Sequence, residues 1–439
     1  MMSQCYTSIS TKGFHNVAIS SDGSIWSWGR NNYNQIGNNS NLTQYSPIQI
    51  TTDLDWIMIS LGTWNSTAIK NDGSAWYWGW NYYGTAGLPN TPIPLQITGI
   101  GNGNLITTGL NNTAVIKSDG TLWIWGWNEY GTIGDGTNNS SSSPIQVGTD
   151  TNWKYVSIGD QHISAIKTDG SLWAWGRNNS GQIGNNIFGE QTTPLRIGTA
   201  NDWEKSYSGY ASNLAIKTDG SLWAWGWNAY GQLGDGTSTN RTTPIQIGSD
   251  TDWVDIAITT HSLAIKSNGT LWAWGYNNYG KLGLGSTANQ IVIPTQVGSD
   301  SDWMKAIPGF EHTIALKDNG TLWAWGHNDV GQLGDGTNID KTTPIQIGTT
   351  CTTLSIVEKE NHEFFLFPNP TKGIFTINLN NQQGAINYTL TTLEGRIVKQ
   401  INNVTTNNVE VDLTNESKGI YLLRINEANT NKIYKIVRQ

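Results

Sequence analysis

Apolar and polar residues alternate along most of this chain in short runs, and turn-forming residues separate the runs. Residues 153–198 show the pattern: WKYVSI, HISAIK, SLWAWG and PLRIG follow one another, divided by Gly-, Asp- and Asn-rich stretches. Period-two alternation rich in β-branched and aromatic residues predicts four strands, here A to D. Asp169-Gly170, between B and C, predicts a two-residue type I′ hairpin turn in which both residues take positive φ. In strand C, Trp173 and Trp175 are two apart and project from one face of the sheet.

The unit repeats. Trp-x-Trp-Gly begins at Trp26, Trp76, Trp123, Trp173, Trp223, Trp272 and Trp323, at intervals of 50, 47, 50, 50, 49 and 51 residues. KTDGSLWAWG occurs twice without change, at Lys167–Gly176 and Lys217–Gly226. A four-stranded sheet with indoles on one side must bury that side against a neighbour, and seven such sheets satisfy each other in a ring. The expected fold is all-β: a seven-bladed β-propeller over residues 1–350, a linker at 351–362 with one last strand at Leu354–Val357, and a small C-terminal β-sandwich over 363–439. Tyr6 stands where later units place the Trp that opens strand A. In the tail tryptophan disappears, and IFTINL, INYTLTTL, GRIVKQI, NVEVDL, GIYLLRI and KIYKIV read as short strands.

Composition narrows the function. Among 439 residues there are 50 Gly and 23 Trp, but only 13% are charged. Net charge is −8 with no Lys/Arg cluster, which argues against a nucleic-acid partner. No apolar run is long enough for a membrane-spanning helix, and a monomer is expected. Two cysteines, Cys5 and Cys351, exclude a four-cysteine zinc site. They flank the ring, whose closure brings its ends together, so a Cys5–Cys351 disulfide across the seam is expected if the protein is exported.

The run from Gly309 to Gly334, GFEHTIALKDNGTLWAWGHNDVGQLG, resembles the repeat of the regulator of chromosome condensation family, and the likeness extends over about residues 4–350. That resemblance implies a propeller that binds other macromolecules. The family includes nucleotide exchange factors and a secreted propeller that inhibits β-lactamase. FPNPTKG at Phe367–Gly373, VDLTNESKGIYLLRI at Val411–Ile425 and the terminal KIYKIVRQ resemble the type A C-terminal sorting domain of the type IX secretion system of Bacteroidetes bacteria. This resemblance implies export across the outer membrane, with type IX machinery engaging residues 363–439, and then removal of the tail with release or attachment at the cell surface. A carbohydrate-binding or immunoglobulin-like accessory module is the alternative for the tail. Such cargo needs a signal peptide, and the opening MMSQCYTSIS lacks one. The expectation is that a leader preceded this start and was lost.

No catalytic constellation, metal site or cofactor motif is expected. His15, His162, His261 and His312 share one repeat position, filled by Asn65, Asn112 and Ser212 in other blades, and so read as a structural hydrogen-bonding slot. Asp135, Asp235 and Asp335 are lone carboxylates in glycine turns, whereas calcium needs several oxygen ligands together.

Blade geometry sorts the loops onto two faces. The turn face carries the B–C turns and D–A connections, with a recurring Asp and a Lys at the end of strand B, such as Lys167, expected to form a solvated, self-neutralised surface. The loop face carries the A–B and C–D loops and varies from blade to blade. Its A–B loops hold Phe14, Trp64, Leu110, Tyr210 and Phe310. The position after Trp-x-Trp-Gly holds Arg30, Trp80, Trp127, Arg177, Trp227, Tyr276 and His327. Nineteen tryptophans fall on repeated strand positions and are expected in the core; the four others, Trp64, Trp80, Trp127 and Trp227, all lie on this face. Large aromatics and Arg gathered on one surface predict a binding face for a protein or glycan. The recurring Tyr33, Tyr83, Tyr130, Tyr230 and Tyr279 are expected instead to pack under the C–D loops. A polysaccharide-active enzyme and a purely structural surface component are the competing readings.

Overall fold

A computed structural model describes residues 5–81, 90–348, 365–367, 371–378, 386–393, 395–406, 408–427 and 430–438. Seven four-stranded antiparallel sheets, each built from four consecutive strands, form the blades of the ring. In blade 4 the strands are A (Trp153–Ile158), B (His162–Lys167), C (Leu172–Gly176) and D (Gln191–Arg196). Each strand A touches strand A of both neighbouring blades, so these strands line the axis and each strand D is an outer edge. Strand D starts three residues before the predicted Pro194. Pro194 lies inside the strand because an outer edge tolerates a residue without an N–H.

The B–C turn differs from the type I′ expectation. Only Gly170 is in the left-handed region (φ 77°); Asp169 keeps negative φ. Gly170 N–H donates to Lys167 O at 2.9 Å and Lys167 N–H to Ser171 O at 3.1 Å, which closes a three-residue loop. Asp169 is needed for its side chain. Its carboxylate accepts the Ser171 N–H (2.9 Å) and Oγ–H (2.6 Å), and Ser171 Oγ accepts Trp173 Nε1–H at 2.9 Å. The same relay runs through Asp119–Thr121–Trp123 and Asn319–Thr321–Trp323. It explains why Asp/Asn-Gly-Ser/Thr precedes every Trp pair.

The two tryptophans of each pair share a side of the sheet but not an environment. Trp175 is fully buried and donates to Thr132 O of blade 3 at 3.0 Å, where a Cβ on Gly134 would lie 2.8 Å from the indole nitrogen. The Gly-x-x-Gly stretch of one blade is therefore the seat for the next blade's indole. Burying such a side chain stabilises by about 5 kcal/mol before chain entropy is counted. Trp173 is only half-buried, so the expectation of nineteen core indoles holds for the second Trp of each pair and for those opening strand A, not for the first.

The histidine slot joins neighbouring blades. His15 Nε2 meets Ser66 Oγ (3.0 Å), His162 meets Asn213 Oδ1 (3.0 Å) and His261 meets Thr313 Oγ1 (2.9 Å). His312 meets Asn16 Oδ1 at 2.7 Å, and Tyr6 N–H donates to Gly320 O at 2.9 Å, so both bonds cross from blade 7 to blade 1. Among the described residues no strand is shared across this seam, because blade 1 comes from residues 6–49 and blade 7 from residues 303–347. Cys5 is buried and disulfide-bonded; Cys351, the linker and the strand expected at Leu354–Val357 lie outside the described residues.

The tail forms a three-stranded sheet (Phe365–Phe367, Ile374–Asn378 and Asn408–Asp412) and a four-stranded sheet (Ile386–Thr392, Ile397–Val404, Gly419–Glu427 and Thr430–Arg438). Phe375, Tyr388, Val411, Tyr421, Leu423 and Ile436 pack between them as a separate core. Among the described residues no helix is long and apolar enough to cross a membrane.

Candidate binding face and the relatives of the chain

On the turn face the strand-B lysines of five blades are each held between two indoles, while Lys117 of blade 3 lies over Trp123 alone. Lys167 Nζ lies 4.7 Å from the Trp153 ring and 3.9 Å from the Trp173 ring, and pairs with Asp150 at 2.7 Å. Lys317 repeats this with Trp303, Trp323, Asp300 and Asp302. Charges neutralise one another as expected, but the surface is not solvated at the lysines: Lys70, Lys167 and Lys317 are buried. Their alkyl stems cover indole while the ammonium reaches a carboxylate at the rim.

The loop face is assembled between blades. The group after Trp-x-Trp-Gly in one blade lies against the tyrosine of the preceding blade. Trp80 stacks on Tyr33 at 5.1 Å, Arg177 lies 4.8 Å over Tyr130, Tyr276 stacks on Tyr230 at 4.2 Å, and His327 stacks on Tyr279 at 3.9 Å. The tyrosines thus do not pack beneath the C–D loops. Tyr33 and Tyr279 are exposed, and with their partners they form an arc around the face; Tyr83 lies outside the described residues.

The A–B loop residues close the arc inward. Trp64 meets Tyr33 and Trp80 edge-on, Arg30 lies 5.2 Å over Trp64 and 5.8 Å over Phe14, and Phe14 meets Phe310 across the seam at 5.7 Å. Trp127 meets Tyr130, and Trp227 meets both Tyr210 and Tyr230. Leu110 is half-buried on the same side. All twelve expected site residues are half-buried or, for Tyr210, exposed. Polar groups order several of them: Arg177 binds the Gln161 side chain, and His327 lies between Asp329 (3.2 Å) and Asp340 (3.0 Å).

Two further features complete the site. The tyrosines belong to the face, and Lys281 supports it. Where blades 4, 5 and 7 have Gly-Gln-Leu-Gly or Gly-Gln-Ile-Gly and blades 2 and 3 have Thr in place of Gln, blade 6 has Gly-Lys-Leu-Gly, the one blade with a charge at this position. Fully buried Lys281 donates to Phe310 O (2.9 Å) and Glu311 Oε2 (2.7 Å) and lies 4.4 Å from the Tyr276 ring. Burial lowers its pKa, and Glu311 opposes that shift.

The axial channel is polar, lined by residues such as Ser10, Ser157 and Tyr207, with Lys305 and Asp255 paired at 3.3 Å. At the loop-face end Lys12 crosses the axis and donates to Ile158 O at 2.8 Å, beside Asp160. Burial brings Lys12 down to about 8 and Asp160 up to about 6, each partly opposed by the other's charge. Asp135, Asp235 and Asp335 each accept from the Thr two residues on, as in an Asx turn.

The repeat and its fold have counterparts among known proteins. The profile of the RCC1-like domain matches residues 106–371, and profiles of the regulator of chromosome condensation (RCC1) repeat match 22–69 and 6–35. The chain belongs to the RCC1-like family. Residues 365–439 match the secretion system C-terminal sorting domain. RCC1-like structures with the same fold include human WBSCR16 (19% identity, TM-score 0.68, 74% of this chain and 93% of that one). Yeast RCC1, Prp20, solved with Kap60 bound, aligns at 19% identity and TM-score 0.68 over 78% of this chain and 86% of that one. Saccharomyces cerevisiae Prp20p, whose binding to Gsp1p and histones has been characterised, aligns at 21% identity and TM-score 0.68 over 79% and 88%. A short stretch is 46% identical over 39 residues to the ultraviolet-B receptor UVR8 of Arabidopsis thaliana, spanning 9% of each protein. The sorting domain makes this RCC1-like propeller an exported protein, secreted or displayed on the surface of a Bacteroidetes-type bacterium, with type IX machinery as a partner.

Proposed function

We propose that this exported RCC1-like propeller is a binding protein whose loop face holds a protein partner. The arc of aromatic, Arg and His side chains shared between adjacent blades carries this reading, because no blade needs it for its own hydrogen-bonded sheet. Sugar rings bind best to an open aromatic face. Here Trp80, Tyr276 and His327 each have one face covered by a neighbouring tyrosine. Pre-ordered aromatic edges beside Arg suit the side chains of a protein surface.

A glycan is the second reading, favoured by exposed Tyr210 beside Trp227. The test is capture from the native environment by the full-length chain and by a Trp80→Ala/Trp127→Ala/Trp227→Ala variant, with glycan-array binding in parallel. Loss of a protein partner by the variant supports the first reading, and loss of a glycan supports the second. Equal capture by both chains overturns the loop-face assignment.

A further inference from the structure

Strand Gly419–Glu427 of the sorting domain carries large apolar residues on both sides. Tyr421, Leu423 and Ile425 point into the sandwich core and are buried. Ile420, Leu422 and Arg424 lie on the outer side of the sheet, where a free domain would carry polar groups. A strand without polar alternation needs a cover on its second face.

The propeller supplies that cover. Leu393 is buried in the core cluster of the propeller seam with Tyr6, Met304 and Ile307, and Ile420 and Leu422 pack on the same cluster. Ile57 faces Leu422 and Arg424 across one crevice. Polar contacts fix the orientation: Lys154 Nζ donates to Ser417 Oγ at 3.1 Å, and Lys435 pairs with Asp318 at 3.9 Å. The partners Ile57 and Lys154 belong to starts of strands A, and Asp318 lies in a B–C turn, so the domain sits on the turn face, over the axis. Leu393 lines the end of the channel away from Lys12.

We infer that the turn face is a receptor for the chain's own sorting domain, which it holds without covalent help and which stoppers the channel. Severing the linker therefore does not free the tail. Release needs a competitor for the outer side of the four-stranded sheet, and the loop face stays open throughout because it lies at the opposite end of the axis.

The test uses the full-length chain with a specific protease site introduced between residues 352 and 362, beyond Cys351, so that no disulfide tethers the products. After cutting, the two parts of the otherwise unchanged chain are expected to co-elute on size exclusion at micromolar concentration. Leu422→Asp on the domain side and Ile57→Asp on the propeller side should each weaken retention by roughly a hundredfold and give two peaks. Amide exchange at Tyr421 and Leu423 reports whether the variant sandwich is folded. Separation with those amides still protected reads docking alone. Two peaks from the cut, unsubstituted chain, or co-elution of both charged variants, overturns the proposal.

Discussion

On the turn face five blades repeat one arrangement, a lysine between two indoles with a carboxylate beyond it, and the centre of that face is covered by the sorting domain. On the loop face no two blades are alike, and side chains meet across blade boundaries as well as within them. The difference separates two roles for the same residue type. An indole that recurs at one strand position is scaffold. An indole that appears in some blades only is free to be selected for something else.

Stability measurements should divide the molecule along that line. The largest effect is expected at the seam, where among the described residues no shared strand ties blade 7 to blade 1. Cys351→Ser should lower stability by roughly 5 kcal/mol if it pairs with Cys5, read by denaturant titration of the oxidised protein. Uptake of alkylating agent by both thiols without prior reduction would remove the pairing.

Next comes Trp225→Ala, which empties a fully buried seat and should cost about 3–5 kcal/mol. The half-buried Trp223→Ala should cost markedly less, and equal losses would break the distinction between the two tryptophans of a pair.

The histidine pins make stability depend on pH. Burial pushes His15 and His312 down to about 3 and His162 to about 4. Unfolded imidazole binds a proton near pH 6.5, so their contribution is complete above that pH and is lost as pH falls toward 4 and 3. Asp160, raised to about 6, works in the opposite direction between about pH 6 and 4 and offsets part of the loss. His312→Asn, which installs the residue found in this slot at Asn65 and Asn112, should flatten the slope by at most about 1.4 kcal/mol per pH unit. Melting at a series of pH values measures it.

Lys167→Met should cost about 1 kcal/mol, since the ion pair is at the rim while the stem's packing is retained. The smallest stability effect belongs to the loop face. Trp80→Ala, Trp127→Ala and Trp227→Ala should each cost about 1 kcal/mol, from lost ring contacts only. A melting temperature falling as far as for Trp225→Ala would make the loop-face indoles scaffold after all.

Much of this was legible in the chain. Trp-x-Trp-Gly spacing predicts seven sheets, and the seven sheets are present. The tail's short alternating runs become its strands. The twelve loop residues do lie on one side, because strand order alone assigns each loop to a face. The errors have local physical causes. Asp169 invited a type I′ turn, but its carboxylate binds Ser171 better from negative φ. The lysines seemed bound for solvent, yet an ammonium between indoles satisfies both a stem and a charge. GIYLLRI already showed apolar residues on both sides of a strand, and only the missing partner prevented its reading.

Sequence by itself therefore settled the number and kind of blades, the change of domain at the tail and the sorting of loops into a constant and a variable side. Each follows from periodicity along the chain, where near neighbours decide strand, turn and side-chain direction. Tertiary structure alone decided that Tyr33 meets Trp80, that His312 closes the ring on Asn16, and that Leu422 finds its cover on the propeller. Those contacts join residues far apart in sequence, and their partners are chosen by ring closure and by the docking of one sheet on another, which no local pattern encodes.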